Sequence, residues 1–180
     1  MSVLNTSNHD RDRAGLTYVY PVVSRRAGGV SVGVNLNPNN ACNWRCVYCQ
    51  VPDLRRGGPP PLDLARLETE LRGLLESIVQ GDFMAIQVPD GMQRLNDVAL
   101  SGNGEPTSAP EFPAVVELIG RVLADFGLRG DIKLVLISNG SLVGKPYVQE
   151  GLRAMAELNG EVWFKFDRAT RSGMREVNDT

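Results

Sequence analysis

The sequence lacks the features that mark a membrane protein or a strongly basic, nucleic-acid-binding protein. No run of apolar residues approaches the roughly 20 that a helix needs to cross a bilayer. The 19 Lys and Arg against 21 Asp and Glu leave a formal net charge of -2, which is no electrostatic footprint for nucleic acid. Residues 1–13 are polar and contain no apolar core of a signal peptide. We therefore expect a cytoplasmic protein with no membrane partner.

Cysteine and histidine are also scarce, and this scarcity narrows the kind of metal site. The chain has 3 cysteines, all between Cys42 and Cys49, and 1 histidine, His9. A disulfide framework would have an even number of cysteines at wider spacing. Crowded thiolates select zinc, copper or an iron-sulfur cluster, but structural zinc usually takes four protein ligands, and no fourth cysteine exists. Three thiolates on a four-iron cluster would leave one iron open to a substrate or cofactor.

The rest of the sequence alternates apolar, strand-like segments with amphipathic helical segments. We predict strands at residues 17–24, 30–36, 97–101, 132–137 and 162–166, and helices at residues 64–80, 110–126 and 147–158. The first two strands suggest a hairpin, and the later alternation predicts parallel strands joined by right-handed crossovers. This pattern indicates an α/β fold, either a barrel or an open doubly wound sheet.

The chain is long enough for one domain with its own core. We expect a flexible tail at residues 1–16 and a single domain at residues 17–180. Residues 82–96 are the hardest to assign. Residues 84–88 fit a short strand, Asp90-Gly91 is a turn signal, and the whole segment fits an insertion.

Three unusual loops follow predicted strands, and we expect them to lie together at the opening of one ligand site. The reason is that ligands collect at the carboxyl ends of parallel strands. The three loops are the cysteine loop after Leu36, Gly102-Asn103-Gly104-Glu105-Pro106-Thr107 after Leu100, and Ser138-Asn139-Gly140 after Ile137.

The cysteine spacing, three residues between Cys42 and Cys46 and two between Cys46 and Cys49, resembles the signature of the radical S-adenosylmethionine (SAM) superfamily. The resemblance implies a partial (β/α) barrel, with about four βα units present here. It also implies a [4Fe-4S] cluster on Cys42, Cys46 and Cys49, with SAM chelated to the open iron. In that family an electron from the cluster cleaves SAM to methionine and a 5'-deoxyadenosyl radical, which removes hydrogen from a substrate. An external donor of the flavodoxin or ferredoxin type supplies the electron.

The resemblance extends to the residues that would bind the cofactor. Tyr48 occupies the aromatic position before the last cysteine, near the adenine. Gly102, Asn103, Gly104 and Glu105 resemble the glycine-glycine-glutamate element that binds the amino group of SAM, with Asn103 where the commonest form has glycine. The chemistry fits, because glycine lets the backbone approach a ligand and a carboxylate pairs with an ammonium.

Two further pairs of polar residues are expected at the cofactor site. Ser138 and Asn139 resemble the end of the third strand that faces the ribose or sulfonium, although a plain turn explains them almost as well. Lys165 and Asp167 flank Phe166 and therefore share one face of the last predicted strand. We expect that face to point inward, because helices cover the outside of parallel strands.

The sequence leaves the substrate and two other kinds of protein open. Residues 20–26, 35–38 and 101–107 look like the radical enzymes grouped with wyosine-base tRNA synthases, which would imply a tRNA substrate. A comparable hypothesis is that the enzyme activates another protein by making a glycyl radical on it. An iron-sulfur electron carrier or redox sensor needs no cofactor pocket, and a zinc-stabilised interaction module is a third class.

The family's usual core has six strands, and only four of the predicted strands, those from residue 30 onward, are counted toward it, so that two are missing. Residues 162–166 would then form an exposed apolar edge, which folded proteins generally cover. We expect a further C-terminal segment or a partner chain to complete the sheet.

Overall fold

A computed structural model describes residues 3–5 and 15–180 of the chain. The strands are β1 (Val19–Ser24), β2 (Gly29–Val34), β3 (Ala41–Cys42), β4 (Arg55–Arg56), β5 (Leu95–Leu100), β6 (Lys133–Ser138) and β7 (Gly160–Phe164). The helices are α1 (Leu64–Val79), α2 (Phe83–Gln87), α3 (Phe112–Asp125), α4 (Pro146–Ala156) and α5 (Arg171–Asn178), with a 3-10 turn at Pro106–Ser108. None of the helices in the described ranges is long and apolar enough to cross a membrane.

The main sheet has the order β1-β2-β5-β6-β7. β1 and β2 form the predicted hairpin, and the pairs β2-β5, β5-β6 and β6-β7 are parallel. Helices α1, α3 and α4 lie in the three connections between these parallel strands. The predicted α/β fold with a mostly parallel sheet is therefore confirmed. Within the described residues β1 and β7 are the two edges, so no closed barrel forms, and the partial barrel stays a prediction.

Side-chain alternation along the strands separates a packed face from an open one. Val32, Val98 and Leu136 are buried and belong to the hydrophobic core together with the apolar faces of the crossover helices. The opposite face carries Ser31, Gly33, Ala99, Ser101 and Ile137. The Tyr20 ring crosses Gly33 on this face, where a Cβ would overlap it, and its hydroxyl hydrogen-bonds to Ser101 Oγ at 2.9 Å.

Two parts of the structure differ from the prediction. Residues 84–88 do not form a strand, because the Ile86 N–H donates to Asp82 O and the Val88 N–H to Met84 O, which closes the short helix α2. A short apolar run does not distinguish these local bonds from strand pairing. Helix α5 was not predicted. Its N-cap is Thr170, whose hydroxyl accepts the Gly173 N–H at 3.1 Å.

The predicted flexible tail, residues 1–16, lies mostly outside the described residues. Within the described part, Leu4 is buried in the core and its N–H donates to Gln87 O at 2.8 Å. A short piece of this segment is therefore packed against the end of α2.

Candidate functional site

A cleft of about 840 Å³ lies over the open face of the main sheet. It is lined by every residue that the sequence nominated for metal or cofactor binding except Ser138: Cys42, Cys46, Tyr48, Cys49, Gly102, Asn103, Gly104, Glu105, Asn139, Lys165 and Asp167. The three loops that were predicted to lie together do line one cleft. The carboxyl ends of β2, β5 and β6 bring these loops together because the strands run parallel.

The three cysteines are free thiols on one wall of the cleft. Cys42 ends β3, where its carbonyl accepts the Gly57 N–H at 2.9 Å, and the Cys49 N–H donates to Cys46 O at 3.0 Å in a tight turn. Burial raises the pKa of the Cys42 thiol, and the charges of Glu105 and Cys46 raise it further. The backbone N–H groups of Trp44 and Glu105 hydrogen-bond to this sulfur and lower its pKa in part. Donors of this kind stabilise a thiolate.

Glu105 lies beside Cys42 and is buried, with 3% of its surface exposed. Its Oε1 accepts the Thr107 hydroxyl at 2.6 Å, the Ser138 hydroxyl at 2.7 Å and the Thr107 N–H at 3.2 Å. Its Oε2 accepts the Asn139 N–H at 2.7 Å. The carboxylate thus joins the turn after β5 to the end of β6, and Oε2 keeps capacity for a further donor.

No ion pair of the described residues involves Glu105. A buried carboxylate usually has a cationic partner, because desolvation of an unpaired charge is expensive. Four neutral donors offset only part of that cost. Glu105 is therefore a carboxylate on a cleft wall that is suited to an incoming cation.

Ser138 differs from its predicted position. It lies behind Glu105, donates to that carboxylate, and accepts the Gly140 N–H at 2.9 Å. Strand alternation directs Ser138 away from the cleft, because the neighbouring Ile137 lines it. Ser138 therefore supports Glu105 rather than contacting the contents of the cleft.

The glycines of the second loop allow it to pack directly on the polar loop after β2. A Cβ on Gly104 would overlap the Ala41 carbonyl oxygen, and one on Gly102 would overlap the Asn35 side chain. The same Asn35 Oδ1 accepts the Asn103 N–H at 3.0 Å. Because the two loops pack this closely, the Glu105 backbone N–H lies within hydrogen-bonding distance of the Cys42 sulfur.

Asn43 joins the cysteine loop to the end of β6. Its Oδ1 accepts the Asn139 side-chain amide at 3.0 Å, and its Nδ2 donates to Ser141 Oγ at 2.7 Å. Sequence reasoning missed Asn43, although its place inside the cysteine motif was a usable signal. It fixes the loop on the side that faces Asn139.

Tyr48 is held by the residues that follow β7. Its hydroxyl donates to Asp167, and the Lys165 Nζ lies 4.9 Å from the centre of its ring. Burial raises the pKa of Tyr48, and donation to Asp167 raises it further. The hydrogen bond from Tyr48 lowers the pKa of Asp167, as does that from Asn178. The phenol therefore stays protonated and the carboxylate ionised around neutral pH. Lys165 and Asp167 both line the cleft, as expected, but they do not lie on the strand, because β7 ends at Phe164.

The donor set fits a cluster bound by thiolates. Three unpaired thiols line one cleft, and N–H donors point at the sulfurs of Cys42 and Cys46. Thiolates are the usual protein ligands of iron-sulfur clusters. In the part of the chain that the structure describes, no three His, Cys, Asp or Glu side chains are arranged to hold a single metal ion.

Comparison with known proteins identifies relatives that match most of the chain. The chain is 34% identical over 135 residues to a UPF0026 protein of Helicobacter pylori. The aligned segment makes up 74% of this chain and 38% of that protein. It is 30% identical over 165 residues to a UPF0026 protein of Methanocaldococcus jannaschii. That aligned segment makes up 88% of this chain and 42% of the relative. The chain thus spans less than half the length of these relatives. No solved structure matches.

The family model for the radical SAM superfamily matches residues 36–168. That range contains the three cysteines and Glu105, together with Lys165 and Asp167. Because the match covers well over half of the chain, the chain belongs to the radical SAM superfamily.

Proposed function

We propose that this chain is the SAM-cleaving part of a radical SAM enzyme, with a [4Fe-4S] cluster on Cys42, Cys46 and Cys49 and with Glu105 holding the amino group of SAM. When bound, the cluster supplies the electron that cleaves SAM to methionine and a 5'-deoxyadenosyl radical, which takes hydrogen from a substrate.

The observation that carries this proposal is the unpaired carboxylate of Glu105 beside the cysteine loop. The Glu105 N–H hydrogen-bonds to the Cys42 sulfur, while its side chain lines the same cleft as the three cysteines. SAM would bring an ammonium group to the carboxylate, and a charge-assisted hydrogen bond would replace the missing cation. A protein that only carries electrons has no use for such a carboxylate.

Tyr48 and Asn139 are proposed to contact the nucleoside part of SAM. The Tyr48 ring is fixed by Lys165 at one face and by Asp167 at its hydroxyl, so that it presents a pre-ordered surface at the cleft wall. Asn139 also lines the cleft, although both ends of its amide already bond to the protein. We expect Tyr48 to contribute more than Asn139 to adenosine binding.

The test is anaerobic reconstitution with iron and sulfide, followed by reduction and addition of SAM. We expect a brown protein that releases 5'-deoxyadenosine in the presence of a flavodoxin or ferredoxin type of reductant. Failure to take up a cluster would end the proposal. A cluster without any binding of SAM would instead favour an electron carrier or redox sensor, and a colourless protein with bound zinc would favour an interaction module.

For the substrate we propose an RNA, with tRNA as the first molecule to test. Arg25 and Arg26 line the cleft, and neither has an ion pair among the described residues. The Arg26 guanidinium lies 4.7 Å from the centre of the Trp163 ring, which also lines the cleft. Cationic groups beside an aromatic face suit phosphate and a stacked base.

Filter binding of tRNA to the apoprotein checks this choice. Replacing Arg25 and Arg26 by alanine should weaken binding and lower the salt slope by about 2. The matched control replaces the exposed Arg129 and Arg153, which do not line the cleft and remove the same charge. Equal binding by both double variants, or no binding by the wild type, would contradict an RNA substrate bound at this cleft.

A further inference from the structure

We propose that Asn178 positions the cysteine loop and donates a hydrogen bond to the Cys46 sulfur, and that it thereby raises the reduction potential of the bound cluster. This inference rests on the proposed function for the identity of the cluster. The contact itself is a property of the chain alone.

The end of α5 is bonded to the backbone on both sides of Cys46. The Arg45 N–H donates to Asn178 O at 2.9 Å, and the Val47 N–H donates to Val177 O at 2.9 Å. Residues on either side of the ligand are thus attached to the last turn of one helix. Any shift of α5 would move the Cys46 sulfur.

The Asn178 side chain is completely buried, with 0% of its surface exposed. Its Nδ2 lies 3.2 Å from Cys46 Sγ and 2.7 Å from Asp167 Oδ2. The amide nitrogen has two hydrogens, so it can serve both acceptors at once. The amide oxygen is buried and has no hydrogen-bond partner within the described residues.

Asp167 determines which end of the amide faces the sulfur. An ionised carboxylate only accepts hydrogen bonds, so the nitrogen of Asn178 must point toward it. The Tyr48 hydroxyl donates to the same carboxylate oxygen, Asp167 Oδ2. This chain of hydrogen bonds therefore aims an N–H at Cys46 and leaves the amide oxygen unsatisfied.

An N–H directed at a cluster ligand stabilises negative charge on sulfur, and the reduced cluster carries more negative charge than the oxidised one. Losing one such bond should change the ratio of reduced to oxidised cluster about tenfold at a fixed applied potential. For one electron this corresponds to a shift of about 59 mV toward more negative potential.

The experiment compares reconstituted wild type, Asn178→Leu and Glu176→Gln by potentiometric titration followed by EPR. Glu176 is an exposed residue of the same helix and serves as the matched control. We expect the lower potential in Asn178→Leu and no shift in Glu176→Gln. A wild-type potential in Asn178→Leu would overturn the proposal.

A swapped variant, Asp167→Asn with Asn178→Asp, tests whether anchoring of the loop is sufficient by itself. It keeps a hydrogen bond between positions 167 and 178 and keeps the net charge, but the carboxylate at position 178 donates nothing to Cys46. We expect the potential to stay below that of wild type while thermal stability of the apoprotein recovers. Recovery of the wild-type potential would show that only anchoring matters.

The apoprotein provides a readout that needs no cluster. Asn178→Leu should decrease the rate of iodoacetamide alkylation at Cys46 relative to Cys49, because the sulfur loses the N–H that stabilises the reactive thiolate. Peptide mass spectrometry measures this ratio. An unchanged ratio in a folded variant would overturn the contact. If the wild type takes up no cluster, the proposed function fails while this measurement still decides the role of Asn178.

Discussion

Cys42 and Glu105 lie close enough in the cleft for their charges to interact. Burial raises the pKa of the Cys42 thiol, and the nearby Glu105 charge raises it further. An ammonium bound to Glu105 would remove part of this repulsion, while a metal ligated by Cys42 would replace the thiol proton. We therefore expect occupancy of one position to favour occupancy of the other.

Glu105→Gln should weaken SAM binding about 10- to 100-fold, because a hydrogen bond between opposite charges becomes one between an ammonium and a neutral amide. The cluster should still assemble, since Glu105 contributes only a backbone N–H to Cys42. Equilibrium dialysis with labelled SAM measures the affinity, and iron content measures the cluster.

Two variants frame this result. Glu117→Gln, an exposed glutamate of α3, should leave both quantities unchanged. Cys46→Ala should lose the cluster. Equal loss of iron in Glu105→Gln and Cys46→Ala would contradict the division of roles between carboxylate and thiol.

At the scale of elements, the site depends on how tightly the loops at the strand ends pack together. Gly104 contacts the Ala41 carbonyl, so that the turn after β5 presses on the start of the cysteine loop. Backbone atoms cannot rotate away as a flexible side chain can. This contact is therefore intolerant of even one added methyl group.

Gly104→Ala should lower the free energy of unfolding by about 1–3 kcal/mol, the usual cost of overpacking. Gly73→Ala in α1 is the control, because its Cβ would meet nothing within 4 Å, and it should raise stability by about 0.5–1 kcal/mol. Urea unfolding of both variants checks this. Equal stability of the two would show that the loop relaxes freely.

Glu70 joins α1 to the segment that enters β1. The side chain is buried and accepts the Tyr18 N–H at 2.7 Å, the Thr17 N–H at 3.0 Å and Arg66 Nε at 2.9 Å. Burial alone would raise the pKa of Glu70, but these donors outweigh it and lower the pKa below its usual value. Because the folded pKa is lower than the unfolded one, ionised Glu70 stabilises the fold above about pH 4.3.

Glu70→Gln should therefore lower the free energy of unfolding by about 1–3 kcal/mol at neutral pH. The difference from wild type should shrink as the pH falls through the lowered folded pKa, where the wild-type carboxyl also becomes neutral. Urea unfolding at several pH values measures this, with the exposed Glu76→Gln as control. A difference that does not change with pH would indicate a steric effect.

At the scale of the whole molecule, β7 is an edge of the sheet with apolar groups facing outward. Val162 and Phe164 line a groove of about 240 Å³ beside α4, and both are strongly exposed together with Phe166. Exposed apolar patches of this kind generally mark an interface. We propose that a further segment of a longer polypeptide covers β7, since the chain spans only 38% and 42% of the relatives' lengths.

The 180-residue chain should therefore bind a hydrophobic dye and self-associate at high concentration. Phe164→Lys should reduce both effects, because it places a charge in the groove. Sedimentation velocity and dye fluorescence measure them, and Ile86→Lys, at an exposed apolar residue of α2, is the control. A monomer that binds no dye would contradict the proposal.

The sequence alone determined the features that depend on short spacing and regular periodicity. The spacing of Cys42, Cys46 and Cys49 predicted that the three thiols would lie together, and all three line one cleft. The metal site that this spacing also predicts stays a prediction. The strand and helix alternation predicted the parallel sheet, which in turn predicted that Glu105 and Asn139 would approach the cysteines. The prediction of a strand at residues 84–88 was wrong, because a short apolar run has no distinct period.

The tertiary structure decided the contacts between distant segments. Ser138 lies behind Glu105 because β6 extends one residue beyond the predicted strand, which places Ser138 on the packed face with Leu136. Asn178 contacts Cys46 although 132 positions separate the two residues in the sequence. Neither the composition nor the local pattern of α5 predicts this contact. The cost of closing so long a loop is met by packing across the whole sheet, and no local signal in the sequence records that packing.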